Sequence, residues 1–258
     1  MKLVTFNIRC DFGQDGENNF EYRKDLILKK IAQEKPDMIC FQEVLPHIAK
    51  WLKENLTEYY VIGCGRGPEL RDEQVSIAYR KDRLNLMEMQ SYWLSETPYV
   101  PASRYAEQSI CPRICNEALF EDLETGKVFR IVNTHLDHIS PEARENGIAL
   151  ILERLKPYLR RYPAILTGDF NSFPGDKPVL LAGEKLRDAR LRAELAAGPS
   201  GTFHGYESDP ARRKYSEPID YLLVTPEIRV RSFRVIEDFQ GGLASSDYFP
   251  LAAELEIP

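Results

Sequence analysis

Apolar and polar positions fall into short strand-like runs separated by helix-like ones, with no repeat and no low-complexity stretch. Residues 2–8 are strand-like and lead into a polar loop containing Gly13, Gly16, Asn18 and Asn19. Leu26, Ile27, Ile31 and Ala32 recur at helical spacing, which predicts a helix over about residues 22–34, ended by Pro36. Residues 37–44 read as a buried strand with Glu43 at its C-terminal end. Pro46 then opens a helix whose Ile48, Trp51, Leu52 and Leu56 form one apolar face. From residue 59 to 133 the pattern turns to strands, at 59–63, 75–79, 84–93, 117–122 and 128–133, and a turn at 124–127 joins the last two as a hairpin. Residues 95–114 carry three prolines and no clear period, and read as an excursion over the surface. Ser140-Pro141 starts a helix whose Ile148, Ile151, Leu152, Leu155 and Leu159 face the core. The apolar run Ala164-Ile165-Leu166 is broken by Gly168 and Ser172-Phe173-Pro174-Gly175, so Asp169 and Asn171 sit where strand becomes loop. A short helical segment, a basic and polar stretch over 202–218, and strands at 219–224, 230–236 and 251–257 complete the chain. A loop that includes residues 241–250 precedes the last strand.

Length changes this picture little: 258 residues with 43% hydrophobic content bury a substantial core. Charge changes it more. A formal net charge of −6 argues against a broad basic face that grips nucleic acid non-specifically. No apolar run approaches the roughly 20 residues of a membrane span. The first residues are strand-like rather than a signal peptide, so the expectation is a soluble, cytoplasmic protein. Five cysteines, an odd number without a paired framework, fit a reducing compartment. Cys111 and Cys115 are close enough to invite a zinc reading, but no second Cys/His pair stands at ligand spacing.

Candidate chemistry gathers at strand ends, at Asn7, Glu43, His135, Asp169, Asn171, Asp220 and Asp247. In an extended chain Asp169 and Asn171 point to the same side and can hold one water between them. The bland alternative is a turn in which both bond their own backbone. Hard oxygen ligands on separate strands suit Mg²⁺ or Mn²⁺, with Mg²⁺ the default.

Thr5-Phe6-Asn7-Ile8-Arg9, Phe41-Gln42-Glu43-Val44, Asn133-Thr134-His135-Leu136-Asp137, Gly168-Asp169-Phe170-Asn171, Ile219-Asp220-Tyr221 and Ser246-Asp247 follow one another along the chain. In this order they resemble the endonuclease/exonuclease/phosphatase superfamily, the fold of pancreatic deoxyribonuclease. Trp93-Leu94-Ser95-Glu96-Thr97-Pro98, Pro112-Arg113-Ile114-Cys115 and Leu136-Asp137-His138-Ile139-Ser140 resemble its bacterial metal-dependent hydrolases, whose substrates are mostly unassigned. The resemblance implies one α/β domain over residues 1–258, a four-layer sandwich of two packed mixed β-sheets flanked by helices, with a cleft at one end. It implies that Glu43 is the principal metal ligand, with Asn7 and Asp247 in the same metal and water shell. Asp169 and Asn171 would orient the attacking water, His135 would contact the scissile phosphate, and Glu73 would support that histidine. Arg113 reads as a phosphate clamp, since a guanidinium presents a fork of donors; its alternative is a surface ion pair. The alternative for Glu73 is a solvated strand-edge glutamate.

His138 is a further candidate for substrate binding, although alternation puts it on the face of Leu136 rather than that of His135. Arg212 and Arg213, after Thr202-Phe203-His204-Gly205-Tyr206, are candidates for contacting an anionic substrate at the cleft border, or else a solvated charge run. One position departs from the family pattern: Tyr248 stands where relatives carry a histidine that pairs with the aspartate matched by Asp220. With an ordinary pKa near 10, only roughly one tyrosine in a thousand is phenolate at pH 7, so Tyr248 is a poor base and a good hydrogen-bond donor. Two functions follow. One is a Mg²⁺-dependent phosphoesterase, slowed or with its base role reassigned, cleaving a phosphodiester or phosphomonoester by in-line attack of water. The other is a pseudoenzyme that binds a phosphorylated ligand or partner in the same cleft. The acidic balance disfavours long duplex DNA and leaves small phosphodiesters, sugar or inositol phosphates and lipid headgroups as substrates, with the oligomeric state open.

Overall fold

The computed structural model describes residues 1–240 and 242–258; Gly241, which the sequence reading places in the loop before the last strand, lies outside them. Two βαβ units carry the site. In the first, β1 (Lys2–Asn7) and β2 (Met38–Gln42) are parallel neighbours joined by α1 (Phe20–Glu34), in a register that sets Asn7 opposite Gln42. Next come α2 (Pro46–Asn55), β3 (Tyr59–Ile62) and β4 (Ile77–Arg80), with β4 antiparallel to both β2 and β3. β5 (Leu84–Trp93), β6 (Ile114–Asp122) and β7 (Val128–His135) form an antiparallel meander, and the expected hairpin turns at Gly126, whose φ is +69°. The second unit runs from β7 through α3 (Pro141–Leu155) to β8 (Ala164–Asp169), parallel to β7, with His135 opposite Asp169. Ser140 caps α3 as its spacing before Pro141 suggests, accepting from Ala143 N–H at 3.1 Å.

After α4 (Lys177–Gly183) come three short elements with no periodic signal in the sequence: β9 (Arg187–Asp188), α5 (Ala189–Arg192) and β10 (Leu195–Ala197). β11 (Asp220–Val224), β12 (Arg229–Val235) and β13 (Leu251–Glu256) close the fold. Among the described residues the strands order as β10-β12-β13-β1-β2-β4-β3 in one sheet and β5-β6-β7-β8-β11-β9 in the other.

Strand alternation sorts the apolar side chains into layers. Leu3, Met38 and Cys40 meet Phe129, Ile131 and Ile165 between the sheets. Val4, Phe6, Ile39 and Phe41 face Ile27, Ile31, Ile48 and Leu52 of α1 and α2, while Val132, Leu136 and Leu166 face Ile148, Ile151 and Leu155 of α3. Helix, sheet, sheet, helix is the four-layer sandwich that the resemblance implies. A polar seam stitches the sheets together beneath the site. Asn133 on β7 donates to the carbonyls of Phe41 at 2.9 Å and Ser76 at 3.1 Å, and accepts from Gln42 Nε2 at 2.8 Å.

Gly168 lets β8 approach β7 closely. Its φ is +136°, and a Cβ there would lie 1.9 Å from the Thr134 carbonyl oxygen. Residues 95–114 are less superficial than expected. β6 begins at Ile114, and Gln108, Ser109 and Arg113 are buried because that end of the loop is drawn in toward Asp137. No helix among the described residues is long and apolar enough to cross a membrane.

Candidate active site

The C-terminal ends of the parallel strands open on one cleft, as expected where parallel strands end together. Three non-glycine residues just beyond these ends take left-handed backbone conformations: Arg9 after β1 (φ 62°), Glu43 after β2 (φ 62°) and Asn171 after β8 (φ 47°). Such conformations cost energy and concentrate at functional sites. Here each turns the chain where it leaves its strand.

Glu43, His135 and Asp169 form the floor, with ligand atoms all within 4.8 Å of one another and all three side chains buried. Asn7 ties the two carboxylates together, its Nδ2 donating to Glu43 Oε1 at 2.9 Å and to Asp169 Oδ2 at 3.1 Å. Glu43 Oε2 accepts from Cys10 N–H at 2.9 Å, Asp169 Oδ1 accepts from Asn171 N–H at 2.8 Å, and His135 Nε2 lies 3.6 Å from Asp169 Oδ2. Burial pushes Asp169 up to about 6 against the Asn171 bond, with the Glu43 charge adding to the rise. Burial and the same Glu43 charge push Asp247 and Glu73 up to about 7. Arg66 pairs with Glu73 and Arg9 lies near Asp247, but among the described residues no arginine or lysine pairs with Glu43 or Asp169, and a cation would supply that countercharge. Two carboxylate oxygens and an imidazole nitrogen are a donor set for a divalent cation. His135 is available as a neutral ring, because burial and the charges of Arg113 and Arg66 hold it well below the ordinary histidine value.

Several expectations meet their partners differently. Asp169 makes the turn bond, accepting from Asn171 N–H with Oδ1, and turns Oδ2 toward the floor, where Asn7 donates to it. Asn171 instead sends its side chain to the Leu136 carbonyl, 3.1 Å away, because β8 has already ended. Asn7 was expected in the metal shell. Its side-chain Oδ1 accepts from Arg9 N–H at 3.1 Å and its Nδ2 faces the carboxylates, so in this arrangement it holds Glu43 and Asp169 together. Asp247 lines the cleft outside the tight set, with Oδ2 3.7 Å from Arg9 Nε. Glu73 does not meet His135: Arg66 Nη2 holds its Oε1 at 2.8 Å, a stronger partner for a buried carboxylate than a neutral ring.

Arg113 is no surface ion pair. It is 4% exposed, its Nη2 lies 2.9 Å from His138 Nδ1, its Nε has no partner, and its nearest carboxylate oxygen, on Asp137, is 3.9 Å away. His138 reaches the cleft despite its predicted face, because alternation ends with β7 at His135. Arg212 and Arg213 are corrections. Arg212 is exposed and pairs with Glu207 and Asp209, while Arg213 folds over the Phe249 ring at 4.9 Å; neither lines the cleft. Cys115 is buried on β6 and Cys111 lines the cleft, and neither joins a cluster of metal-capable groups among the described residues.

Among the described residues Tyr248 and Asp220 are not hydrogen-bonded to each other. Burial, then the charges of Asp169 and Glu43, push the Tyr248 hydroxyl well above its ordinary value. Asp220 lies opposite Asp169 in the β8–β11 register. It is 4% exposed, and its Oδ2 has no hydrogen-bond partner among the described residues.

The sequence reading missed three arginine arrangements. Arg9 forms a two-pronged pair with Asp15 at the cleft edge (both contacts 2.8 Å), and Arg66 lines the wall with Glu73. Arg23 is wholly buried and donates to the carbonyls of Ile8, Arg9, Asn18 and Ser245, stapling the β1 exit to the segment that carries Asp247. A signal for Arg23 existed: it shares the buried stripe of Phe20, Ile27 and Ile31 on α1, where a charge needs a reason. Phe203, Gly205 and Tyr206 do border the cleft, whose volume is about 580 Å³.

The sequence profile of the Endonuclease/Exonuclease/phosphatase family matches residues 4–247. The crystal structure of an endonuclease/exonuclease/phosphatase from Bacteroides vulgatus is 34% identical, with a TM-score of 0.93 over 100% of this chain and 98% of that one. The solved structure of a mannosyl-6-phosphatase from Bacteroides thetaiotaomicron is 31% identical, with a TM-score of 0.90 over 99% of each chain. Protein L388 of Acanthamoeba polyphaga mimivirus, itself uncharacterized, is 31% identical over 182 residues, 67% of each chain. With the strand-end motifs assembled in one cleft and a family match over nearly its whole length, the chain belongs to the endonuclease/exonuclease/phosphatase family, phosphate-ester hydrolases that generally depend on a divalent metal.

Proposed function

We propose that the protein is a Mg²⁺-dependent phosphomonoesterase acting on a small phosphorylated molecule, with a sugar phosphate as the substrate class. The observation that carries this reading is Arg113, a buried arginine in the same cleft as the floor with no carboxylate within hydrogen-bonding distance, whereas Arg9 and Arg66 are paired. A buried guanidinium held by His138, with its nearest carboxylate 3.9 Å away and its Nε without a partner among the described residues, is suited to a phosphate dianion. A cleft of about 580 Å³ suits one small molecule. The likeness to a mannosyl-6-phosphatase supports the same class.

Glu43, His135 and Asp169 would hold the Mg²⁺, which supplies charge neutralisation at a phosphate oxygen when bound. Asn7 keeps Glu43 and Asp169 in place, Asp169, held by the Asn171 N–H, orients the water, and Arg113 clamps the phosphate. Tyr248 donates a hydrogen bond and does not act as base. The test is the rate of phosphate release from hexose 6-phosphates against hydrolysis of a bis-aryl phosphodiester, with Mg²⁺. The monoesters should be hydrolysed at least about tenfold faster; a preference for the diester would overturn the reading. The unpartnered Asp220 oxygen, together with the neutral Tyr248, favours a second reading, binding without turnover. Tight binding of a hexose 6-phosphate with no phosphate released would establish that one instead.

A further inference from the structure

The cleft holds two histidines at different depths. His135 lies on the floor, 7% exposed, whereas His138 stands exposed on the wall, beyond the end of β7. The segment carrying His138 is pinned in place. The Asp137 carboxylate accepts from the N–H groups of Ile139 at 3.0 Å and Ser140 at 2.7 Å, and from the Ser109 hydroxyl of the facing loop. The ring itself is held by Arg113, whose Nη2 lies 2.9 Å from Nδ1. A guanidinium offers only donors, so Nδ1 must accept and the ring proton sits on Nε2. The charged groups facing this ring are Arg113, Asp137, Arg66 and Glu43. Burial, with the two arginines, holds it below the ordinary histidine value, so it remains neutral. Among the described residues Nε2 has no protein partner, which leaves one donor, fixed in its tautomer, on a residue of the cleft wall.

Depth decides what that donor meets. Were the water to attack from the Asp169 side, as the proposed function has it, in-line displacement would carry the ester oxygen to the side away from Asp169, and His138 lines the same cleft from an exposed position. We propose that His138, locked by Arg113 as the Nε2–H tautomer, is a catalytic donor to the leaving-group oxygen, an assignment that rests on the phosphomonoesterase reading. In that step the bond from water oxygen to phosphorus forms, and the phosphorus–ester oxygen bond breaks with its electron pair passing to the leaving oxygen. His138 stabilises that oxygen by a hydrogen bond and keeps its own proton. The attacking water releases a proton to solvent, and solvent protonates the departing alcohol.

The test compares leaving groups on the full-length protein with Mg²⁺, using glucose 6-phosphate and p-nitrophenyl phosphate as substrates. Removing one donor from a developing oxyanion costs on the order of 10²-fold in kcat. His138→Ala should therefore lose about that much on the sugar phosphate, with KM little changed. It should lose less than about threefold on p-nitrophenyl phosphate, whose leaving group carries the charge unaided. His138→Gln, which restores an N–H donor, should recover part of the loss on the sugar phosphate. Equal losses on both substrates, or a loss confined to KM, would overturn the assignment while leaving the phosphomonoesterase reading intact. A wild-type protein inert toward both esters would remove that reading and the assignment with it.

Discussion

Replacing Tyr248 by histidine should raise kcat, and the structure bounds the gain. In the wild-type cleft the phenol is held neutral by burial and by the charges of Asp169, Glu43, Asp247 and Asp220, so fewer than roughly one molecule in a thousand carries a base at this position at pH 7. Asp220 meanwhile leaves Oδ2 without a donor while 4% exposed. A buried acceptor left unmade costs about 1 to 3 kcal/mol, or roughly 5- to 150-fold if recovered in the transition state. General acid–base assistance is typically worth about 10² to 10⁴. The two overlap, since one imidazole serves both, so the expected rise is about 10² to 10³ in kcat. Loss of the edge contact with the Phe203 ring, at 4.9 Å, should cost no more than about 1.5 kcal/mol of stability. The assay is Mg²⁺-dependent phosphate release by wild type, Tyr248→His and Tyr248→His/Asp220→Asn, with Tm recorded for each. The double variant should fall back toward wild type. A folded Tyr248→His that is no faster would refute the reasoning and make the tyrosine part of a working mechanism.

Other consequences are simpler. Arg23→Lys leaves some of four carbonyls, two of them fully buried and two partly, without donors and should lower stability by about 2 to 4 kcal/mol, read as a shift in the urea midpoint. Arg212→Ala should leave KM within about twofold of wild type, because its partners Glu207 and Asp209 lie outside the cleft; a several-fold rise would return it to the substrate. His204 gives the protein an acid-sensitive core. It is 1% exposed, accepts from Tyr206 N–H on Nδ1, and is held by burial and by Arg213 at about 3. The unfolded chain takes up this proton near pH 6.5 and the folded chain only near 3. Stability is therefore full above about 6.5 and falls as pH drops, by on the order of 2 to 3 kcal/mol at pH 4.5. His204→Asn, whose amide oxygen keeps the acceptor, should flatten that slope; an unchanged slope would place the sensitivity elsewhere.

What the sequence made legible was what short-range physics controls. Apolar runs stopped by glycine, proline or a polar pair marked the ends of β1, β2, β7 and β8, and the floor residues stand at or just beyond those ends. What it hid depended on contacts across the fold. Glu73 turns to Arg66 rather than His135 because of how a loop folds on itself. His138 enters the cleft because a strand stops and Asp137 pins the turn, whereas alternation carried one step too far sends it away. Arg212 and Arg213 read as a basic border, but a charge run carries no record of its partners: one pairs with its own loop and the other lies on Phe249. Arg23 was readable in principle, as the one charge on a buried helical stripe.

The central claim is that Glu43, His135 and Asp169 hold a divalent cation that the hydrolysis of a phosphomonoester requires. The most direct measurement is phosphate release from a hexose 6-phosphate by EDTA-stripped protein as Mg²⁺ is added back, for wild type and Glu43→Gln together. Neither protein should turn over without metal; wild type should show a saturable rise, and Glu43→Gln a curve displaced to much higher Mg²⁺ or flat. Turnover that survives EDTA, or the same Mg²⁺ curve for both proteins, would contradict the claim.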